Sequence, residues 1–507
     1  MMTGALVADD RALVPSPDEP LPLIGELLRA LAAANMRYCH WKSNAAIDRS
    51  ASGENDLDLL VDRGDLTTFA EALAHLGFVR TYKPGLEIPG IESFYGYDVS
   101  TGRLVHVHAH YQLVAGDDRT KNYRLPIEEA YLASATRTGL FALPSAELEY
   151  VVFVIRMVLK YCTWDEIVWC ATRGRRAGPS RSERAEHEYL VARVDAGRAG
   201  DLVDEHLPFV GSELFAHCAA ALHKDCSTPR RIRTGRRLET SLQPHARYSR
   251  RVDRWLRIWR RVAIALQRRM GGQQRNRLGA GGAMVGIMGG DGSGKSTALA
   301  ALGEWLSPEF DVRLVHLGKP RWSATTTTVR AFLKGAALGA NGLTRAVRVR
   351  GTRRLPDRVE TYRTLFWLLC TARDRRKAYG HARRFATSGG LVLCDRYPHP
   401  RLSSMEAPLI ASKTVDGPNN RLVRAMIEIE QRYHAAIAPP ELLVVLRVDP
   451  EIAVQRKTEE RPESVRARGA EVWNIDWRDS RVHVVDASKP EDEVARELKA
   501  LVWSSLS

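Results

Sequence analysis

One stretch near the middle of the chain restricts the fold more than any other part of the sequence. Residues 283–288 form a short, mostly apolar run that predicts a buried strand, and residues 289–296 read G-x-x-x-x-G-K-S. Leu299, Leu302 and Leu306 then recur at helical spacing. A strand, a glycine-rich loop and a helix in this order predict a phosphate-binding loop, although a glycine-rich turn before an ordinary helix is the simpler alternative.

The residue types of this glycine loop (residues 289–296) suit the binding of phosphate. Glycines let the backbone bend tightly and approach an anion without an intervening Cβ, and the loop N–H groups and the start of the helix direct positive charge at it. Lys295 would reach the β- and γ-phosphates of ATP, and the Ser296 hydroxyl would ligate Mg²⁺. The residues predicted to bind ATP are Gly289, Gly290, Asp291, Gly292, Ser293, Gly294, Lys295, Ser296 and Thr297.

The length and composition of the chain bound the remaining possibilities. With 507 residues and 44% hydrophobic residues, the chain should form more than one domain, with three a reasonable number. Its seven cysteines are scattered without a C-x-x-C pair, which predicts a reducing compartment and neither a disulfide framework nor a cysteine zinc site. The first 20 residues do not resemble a signal peptide and no apolar run has membrane-spanning length. We therefore expect a cytoplasmic protein.

The positive charge of the chain is concentrated in one segment. Between Arg230 and Arg277 there are 16 arginines but only two acidic residues, which accounts for nearly all of the net charge of +15. This distribution argues against a nucleic-acid-binding surface on the folded parts. Residues 250–269 predict a helix with one apolar face that includes Trp255 and Trp259, and with arginines on the other faces.

Three interpretations of this basic helix remain open. Residues 247–269 could lie on an anionic membrane, with tryptophans at the boundary and arginines on the headgroups. Alternatively, the helix docks on a neighbouring domain and keeps its arginines in water; a protein or nucleic-acid partner is the remaining option. A Gly/Gln/Arg linker at residues 271–282 then marks a domain boundary.

The N-terminal part carries a candidate metal-binding pair. Asp56 and Asp58 flank Leu57 on a predicted strand, so alternation places both carboxylates on one face, an arrangement that can hold a divalent cation. A strand, a small polar turn and D-x-D resemble the nucleotidyltransferase superfamily over about the first 115 residues. That resemblance implies nucleotidyl transfer or a retained fold used for binding; two exposed aspartates at a strand edge are the simplest alternative.

Two departures from that family concern its key positions. The Gly-Ser turn that holds a triphosphate in the family is Lys42-Ser43 here. The third acidic residue is replaced within residues 107–110, for which Asp98 is a candidate substitute. His106, His108 and His110 share one strand face and could bind a metal, or could simply be polar residues on a solvated face.

The segments predict four regions along the chain. An α+β nucleotidyltransferase-like domain covers residues 1–140, and an all-helical region with an apolar stripe from Leu148 to Leu159 covers residues 141–228. The basic helix and linker cover residues 229–282. From residue 283 to 507 strands alternate with helices, which predicts an α/β domain with a parallel sheet and helices on both faces.

Four motifs of the last region occur in a characteristic order. They are G-G-D-G-S-G-K-S-T in the glycine loop, A-R-D-R at residues 372–375, D-R-Y at residues 395–397 and D-P-E-I-A-V-Q-R at residues 449–456. Together they resemble the thymidylate kinase family of P-loop nucleoside monophosphate kinases over residues 283–505. The resemblance implies phosphoryl transfer from ATP to a nucleoside monophosphate or a related phosphorylated acceptor, with Mg²⁺.

The resemblance also implies a role for individual residues. Lys295, Asp291, Arg396 and Arg461 would be catalytic, the last as an arginine of a mobile lid that also contains Arg456, Arg466 and Arg468. Arg375, Arg396 and Arg321 would bind the acceptor, since a guanidinium suits bidentate contact with phosphate. Ser296 and Asp395 would hold the metal, and residues 486–488 would lie beside the adenine.

The acceptor is the least determined part of this interpretation. Residues 398–410 lack the helix that reads thymine in the family, and a long insertion occupies residues 321–360. The acceptor could therefore be another nucleotide, a sugar or a different phosphorylated molecule, and an oligomer is left open. Two further hypotheses are an ATP-binding regulatory or membrane-recruited protein, and a bifunctional enzyme that also transfers nucleotidyl groups at Asp56 and Asp58.

Overall fold

A computed structural model describes residues 20–269, 274–331, 356–399, 401–402, 407–413, 420–458, 460–477 and 482–507. The chain divides into two compact units, residues 1–276 with Ser507, and residues 277–506. The architecture is mixed α/β with a parallel sheet, as predicted. Most of the predicted insertion at 321–360, the N-terminal 19 residues and parts of 398–418 lie outside the described residues.

The first unit begins as α+β and continues as a bundle of helices. Its strands are β1 Tyr38–His40, β2 Leu57–Val61, β3 Val79–Tyr82, β4 Ile91–Asp98, β5 Arg103–His110, β6 Val114–Ala115, β7 Tyr123–Arg124, β8 Thr136–Thr138 and β9 Phe141–Leu143. Its helices are α1 Pro22–Ala33, α2 Ile47–Ala51, α3 Leu66–His75, α4 Glu128–Ala133, α5 Ala146–Tyr161, α6 Trp164–Ala171, α7 Arg181–Val191, α8 Ala196–His206, α9 Gly211–Leu222, α10 Thr228–Ser241 and α11 Arg250–Arg269.

A mixed sheet organises the first half of this unit. Its strands run in the order β1-β2-β5-β4-β3, in which β2 and β5 are parallel and the other neighbours are antiparallel. Leucines of α1 at 23, 27, 28 and 31 are buried in a core shared with α3 and the sheet, as helical spacing predicts. The β2–β5 register pairs Asp58 with His108, which brings the acidic strand beside the histidine strand.

Two acidic residues of the first unit are engaged in local hydrogen bonds. Asp65 precedes α3, but its carboxylate accepts a hydrogen bond from the Arg37 N–H at 2.9 Å rather than from the helix. Asp98 accepts hydrogen bonds from the backbone N–H groups of Leu23 and Thr101, both at 2.9 Å. Asp98 therefore stabilises the start of α1 and the β4–β5 turn, so its carboxylate is already committed and is a poor substitute for the missing third acid.

The helical part of the first unit surrounds α5. Ser145 caps this helix, since its Oγ accepts a hydrogen bond from the Leu148 N–H at 3.3 Å. Ten of the sixteen residues of α5 are buried, which is why its apolar stripe occupies the centre of the bundle. Helices α7, α8, α9 and α10 pack around it.

Helix α11 packs by the face opposite to the one that its apolar pattern suggests. Arg257 and Arg261 are 2% and 3% exposed and point into the unit. Arg257 forms ion pairs with Asp165 at 3.3 Å, Glu239 at 3.1 Å and Asp253 at 3.2 Å. The prediction that the helix docks with its arginines in water is wrong for these two residues, because buried carboxylates from other helices are there to pair with them.

The apolar face of α11 is correspondingly on the outside. Trp255 and Trp259 are 62% and 58% exposed, and their rings stack with centroids 6.1 Å apart. The exposed apolar residues of this helix are Val252, Trp255, Ile258, Trp259, Val262 and Leu266. Among the described residues, no helix combines the length and apolarity that crossing a bilayer requires.

The second unit alternates strands and helices. Its strands are β10 Arg277–Leu278, β11 Met284–Gly289, β12 Val312–His316, β13 Leu391–Asp395, β14 Leu442–Arg447 and β15 Val482–Asp486. Its helices are α12 Lys295–Leu306, α13 Pro356–Thr387, α14 Ile410–Lys413, α15 Arg421–Ala435, α16 Pro450–Arg456, α17 Pro462–Asn474 and α18 Glu491–Ser504. Residues 324–331 are also helical.

A parallel sheet in the order β12-β13-β11-β14-β15 forms the centre of this unit. Every residue of β11 is buried, so both faces of the sheet are covered, as the near-continuous apolar run predicted. The chain leaves β11 towards β12 and β13 on one side and reaches β14 and β15 on the other. Ligands of open α/β sheets bind where the strand order reverses in this way, which places the glycine loop at such a point.

Candidate functional site

The glycine loop adopts a conformation that only glycine tolerates at two positions. Gly292 and Gly294 have φ angles of 79° and 82°, in the left-handed region. A Cβ at Gly292 would lie 2.6 Å from the carbonyl oxygen of Ala453. The loop therefore turns sharply under α16, and Gly294 becomes the N-cap of α12.

Lys295 is buried at the start of α12, with its ammonium inside the glycine loop. Its Nζ donates to the carbonyl oxygen of Gly289 at 2.9 Å and to that of Gly290. Ser296 and Thr297 follow in the first helical turn and are exposed. A glycine loop, a lysine and two exposed hydroxyls at the start of one helix are groups that suit a polyphosphate.

Asp291 is the centre of a charge network at this loop. Its carboxylate is 2% exposed and pairs with Arg396 at 3.0 Å, with Arg468 and, at 3.9 Å, with Lys457. Burial alone would raise the pKa of Asp291, but these cations and Lys295 hold the pKa below its usual value. One anionic residue of the loop therefore holds two arginines from distant segments beside the phosphate position.

Asp395 ends β13 directly beside the strand that leads into the glycine loop. The β11–β13 register pairs it with Ile287. Its Oδ1 is buried and has no hydrogen-bond partner among the described residues, while its Oδ2 lies 3.5 Å from His316 Nε2. Carboxylate and hydroxyl oxygens are ligands that Mg²⁺ accepts, so the donor types of Asp395 and Ser296 fit this metal.

A cavity of about 560 Å³ is lined by Arg396 and Arg468, the two arginines that pair with Asp291. Its lining combines an apolar wall with several cations. The apolar wall includes Trp322 and Trp367, whose rings meet edge to face with centroids 5.4 Å apart. The charged lining residues are Lys319, Arg375, Arg396, Arg468 and Glu430. This cavity suits a ligand that has a planar or apolar part and an anionic group.

Arg375 is fixed in the floor of this larger cavity. It is buried, and its Nε and Nη2 donate to the carbonyl oxygens of Leu317 at 2.8 Å and Gly318 at 3.4 Å. Its Nη1 lies 3.3 Å from Nε2 of His434. Burial and the charge of Arg375 lower the pKa of His434 to about 4, so this imidazole is neutral near pH 7.

A smaller cavity of about 240 Å³ borders the glycine loop itself. Ser293, Gly294 and Thr297 form one wall, and Ala487 with the first turns of α18 forms the other. Arg456 crosses the cavity edge and donates to the carbonyl oxygen of Ala487 at 2.8 Å. The predicted adenine-side segment at 486–488 therefore lies next to the glycine loop, as a donor site requires.

The arginines predicted for catalysis and acceptor binding occupy different places. Arg396 and Arg375 both line the larger cavity. Arg321 is exposed and is not among the residues lining that cavity. Arg461 is exposed as the N-cap residue of α17, without a side-chain cap, and Arg466 pairs with Glu451 at 2.6 Å.

Arg468 is the arginine of this segment that reaches the glycine loop. It contacts Asp291 and lines the larger cavity. Arg461 precedes α17 whereas Arg468 lies two turns inside it, on the side of the helix that faces the loop through Gly469. Only the position of Arg468 within α17 could have indicated its contact with the glycine loop. That position depends on the residue at which the helix begins.

In the first unit, the structure brings Asp56 and Asp58 together with the histidines of β5. Asp56 Oδ1 lies 2.8 Å from Nδ1 of His106. Asp58 is buried, and its Oδ1 lies 2.8 Å from Lys42 Nζ and 3.3 Å from His108 Nδ1. Each aspartate of the predicted pair thus has its own basic partners.

The electrostatics of this cluster are dominated by burial and by lysines. Burial alone would raise the pKa of Asp58, but Lys42 and His108 hold the pKa well below its usual range. Burial lowers the pKa of His110 well below its usual value, and nearby positive charges add to this effect. Burial and Lys42 also lower the pKa of Lys121 to about 8. The cluster therefore combines two aspartates and three histidines with two neighbouring lysines, Lys42 and Lys121.

Each comparison with a known protein covers less than half of this chain. No protein-family profile matches the sequence. The chain is 24% identical over 230 residues to the uncharacterized ATP-binding protein YghS of Escherichia coli K12, which covers 44% of this chain and 94% of that protein. It is 22% identical over 227 residues to the uncharacterized ATP-binding protein YghR of the same strain, covering 43% of this chain and 86% of that protein.

A solved structure of thymidylate kinase from Candida albicans is also similar, with 18% sequence identity. The alignment covers 45% of this chain and 94% of that chain, and its TM-score is 0.29.

Proposed function

We propose that this protein is an ATP- and Mg²⁺-dependent phosphotransferase of the thymidylate kinase type, which transfers the γ-phosphoryl group of ATP to a nucleoside monophosphate or a related phosphorylated acceptor. One observation carries the proposal: Asp291 of the glycine loop holds Arg396 and Arg468 at the edge of the larger cavity. Both arginines would thereby lie close to the position where a second phosphate would meet ATP bound on the loop.

The two cavities suggest how donor and acceptor would be arranged. The smaller cavity beside Thr297 and Ala487 would take the adenosine part of ATP, and the glycine loop its phosphates. The larger cavity would take the acceptor, with its base or other planar part against Trp322 and Trp367. The names of the two relatives, which describe ATP-binding proteins, support the donor assignment.

The residues supply positioning and charge rather than a base. An oxygen of the acceptor phosphate would attack the γ-phosphorus, and the bond from that phosphorus to the β,γ-bridging oxygen would break, which leaves ADP. Because the acceptor oxygen is already anionic, no side chain needs to remove a proton. Lys295, Arg396 and Arg468 would balance the charge on the transferring group. Ser296 and Asp395 would hold Mg²⁺, which would bridge the ATP phosphates and neutralise part of their charge.

A panel of acceptors tests this proposal directly. We expect label to move from [γ-³²P]ATP to at least one phosphate-bearing acceptor in a panel of nucleoside monophosphates, sugar phosphates and other phosphorylated small molecules. Arg375→Ala should lower kcat/KM for that acceptor by about 10–100-fold, the value of a hydrogen bond to a charged group, while the Kd for ATP stays unchanged. The neighbouring Arg376 is exposed, so Arg376→Ala is a matched control that should leave both constants unchanged.

Two results would count against this proposal, the first against phosphoryl transfer itself and the second against the acceptor site. One is that no acceptor in the panel receives label although ATP binds, which would favour an ATP-binding regulatory protein. The other is an equal loss in Arg375→Ala and Arg376→Ala, which would mean that the larger cavity does not take the acceptor.

A second candidate function is attachment to an anionic membrane through α11. The exposed apolar residues at 252, 255, 259, 262 and 266 follow a three-four spacing and so form one stripe along four turns. Arg251, Arg268 and Arg269 are exposed at the two ends of this stripe, whereas the acidic residue of the helix, Asp253, is buried. An apolar stripe with stacked tryptophans, whose exposed charged residues at both ends are all arginines, complements an anionic lipid surface. It does not complement a second copy of the same basic helix, because like charges would meet.

Vesicle co-sedimentation separates this function from catalysis. We expect the full chain to bind vesicles of phosphatidylcholine and phosphatidylserine, and to bind pure phosphatidylcholine vesicles much less. The double variant Trp255→Ser/Trp259→Ser should reduce binding at least about tenfold, because two large indole surfaces no longer enter the interface. Leu66→Ser/Val99→Ser, which changes two exposed apolar residues on other elements, is the control. Equal binding by both double variants, or binding that ignores phosphatidylserine, would contradict the proposal.

A further inference from the structure

A cluster of metal-ligand side chains lies in the first unit, well separated in sequence from the glycine loop. Asp58 on β2 and His108 on β5 are direct neighbours across a parallel pair of strands, and His110 is two residues further along the same face. One ligand atom from each of these three residues lies within 4.8 Å of the other two. The hydrogen bonds of these side chains decide whether they form an ordinary polar cluster or a ligand site.

The two outer histidines of β5 differ in a way that points to a ligand. The ring of His106 is fully used: Nδ1 pairs with Asp56 at 2.8 Å and Nε2 lies 3.3 Å from Oγ of Ser93. His110 is fully buried, and neither of its ring nitrogens has a hydrogen-bond partner among the described residues. Such a group costs about 1–3 kcal/mol when it stays unpaired, so a buried orphan imidazole calls for a partner.

We infer that Asp58, His108 and His110 bind one divalent transition-metal cation of the zinc type, through a carboxylate oxygen and two imidazole nitrogens. Two imidazoles and one carboxylate are a common ligand set for Zn²⁺, Fe²⁺, Co²⁺ and Ni²⁺, and they suit Mg²⁺ poorly. The site therefore differs in its ligands from the two-aspartate divalent-cation site that the D-x-D pattern predicts. Asp56 is engaged by His106 and is left out of it.

Two of the three distances between the ligand atoms are close to those around such a cation, and the third, between the two imidazoles, is within 4.8 Å. Asp58 Oδ1 lies 3.3 Å from His108 Nδ1 and 4.0 Å from His110 Nε2. Ligands about 2.1 Å from one metal ion are separated by about 3.0–3.4 Å. The first distance already agrees, and the second requires a movement of about half an ångström or slightly more, within the reach of a side-chain torsion.

Lys42 decides how tightly this site would bind a metal. Its ammonium lies 2.8 Å from the same Asp58 oxygen that would ligate the cation. Lysine and metal therefore compete for one oxygen, and the ammonium would have to move when the metal binds. His108 is partly exposed, so the metal would also keep at least one coordination position open to solvent or to a ligand. With Lys42 and the half-buried Lys121 nearby, that ligand would be an anion.

Binding of Co²⁺ and Zn²⁺ to the tag-free full chain tests the inference without any activity assay. After chelator treatment and without nucleotide, we expect one equivalent of Co²⁺ to give visible d–d absorption that Zn²⁺ displaces. His108→Ala and Asp58→Asn should each weaken binding by more than the ~10–100-fold that outer-shell partners contribute, because each removes a direct ligand. Lys42→Met should tighten binding, a change in the opposite direction that a misfolded variant would not produce.

His106→Ala is the matched control, since it lies on the same strand and the same face but has both nitrogens occupied. It should leave Co²⁺ affinity within about threefold of the wild type, as expected for a residue outside the coordination sphere. The inference is overturned if the wild-type chain binds no Co²⁺, if His108→Ala and Asp58→Asn bind it unchanged, or if His106→Ala loses it equally. A weaker Lys42→Met site would also contradict the proposed competition.

Discussion

Replacing Lys295 by alanine is expected to reduce kcat for phosphoryl transfer by about 10²–10³-fold, the loss that follows removal of one preorganised donor to a developing anion. The Lys295 ammonium is buried and is held by the carbonyl oxygens of Gly289 and Gly290, at the place where phosphates would lie. A charge in this partly desolvated position interacts with phosphate far more strongly than a surface charge does. Transfer of label from [γ-³²P]ATP to the best acceptor measures the effect.

Lys377 provides the control for this substitution, because it is an exposed lysine on α13 of the same unit. Lys377→Ala should keep kcat within a factor of about two, as surface substitutions usually do. A thermal transition of Lys295→Ala close to that of the wild type would exclude unfolding as the cause of the loss. Full activity in Lys295→Ala would remove the glycine loop from the donor site and with it the proposed function.

The geometry of the glycine loop could be read from the sequence because it depends on local features. The apolar run before Gly289 and the leucines after Lys295 predict β11 and α12, and the structure places them at 284–289 and 295–306. The positive φ angles at Gly292 and Gly294 are a property that only glycine provides cheaply. Where the residue types of a motif determine its backbone geometry, a single sequence is sufficient to predict that geometry.

The larger cavity could not be predicted in the same way, because its walls come from segments far apart in the chain. Trp322, Trp367 and His434 meet only after the sheet and α13 have formed. Arg461 and Arg468 are the same residue type in the same segment. Only the residue at which α17 begins decides which of them faces Asp291. Tertiary position, rather than residue type, places Arg468 and not Arg461 beside Asp291.

Helix α11 illustrates a second limit of prediction from a single sequence. Its sequence predicts two faces, but not which of them points inward. The answer depends on carboxylates at Asp117, Asp165 and Glu239, which lie on other segments and have no local signature of burial. Their combined charge draws Arg257 and Arg261 inside and leaves the tryptophans out.

Replacing Arg257 by alanine is expected to lower the free energy of unfolding of the first unit by about 3–5 kcal/mol, the cost of breaking a buried ion pair by removing one partner. The substitution leaves Asp165, Glu239 and Asp253 buried without the guanidinium that pairs with all three. A unit of this size loses about 2–4 °C of Tm per kcal/mol, so the first unit's transition should fall by about 6–20 °C. Scanning calorimetry of the full chain measures it.

The pH dependence of this loss distinguishes buried charge from lost packing. Burial already raises the pKa of Glu239 and Asp253 above their usual values, against the pull of Arg257. Without Arg257 these pKa values should rise further, so the folded variant would bind more protons than its unfolded state. Its stability should therefore fall as the pH rises above the ordinary carboxyl range, and the difference from the wild type should widen in the same direction.

Two further substitutions on α11 make the comparison decisive for the orientation of the helix. Arg251→Ala removes an exposed arginine of the same helix and should change stability by no more than about 0.5 kcal/mol. Trp259→Ala removes a side chain that is 58% exposed and should also cost little, whereas a buried tryptophan would cost about 3–5 kcal/mol. A large loss in Trp259→Ala together with a small loss in Arg257→Ala would mean that the apolar face of α11 points inward. The membrane-binding candidate would then lose its surface, because the stripe from Val252 to Leu266 would already be covered by the protein itself.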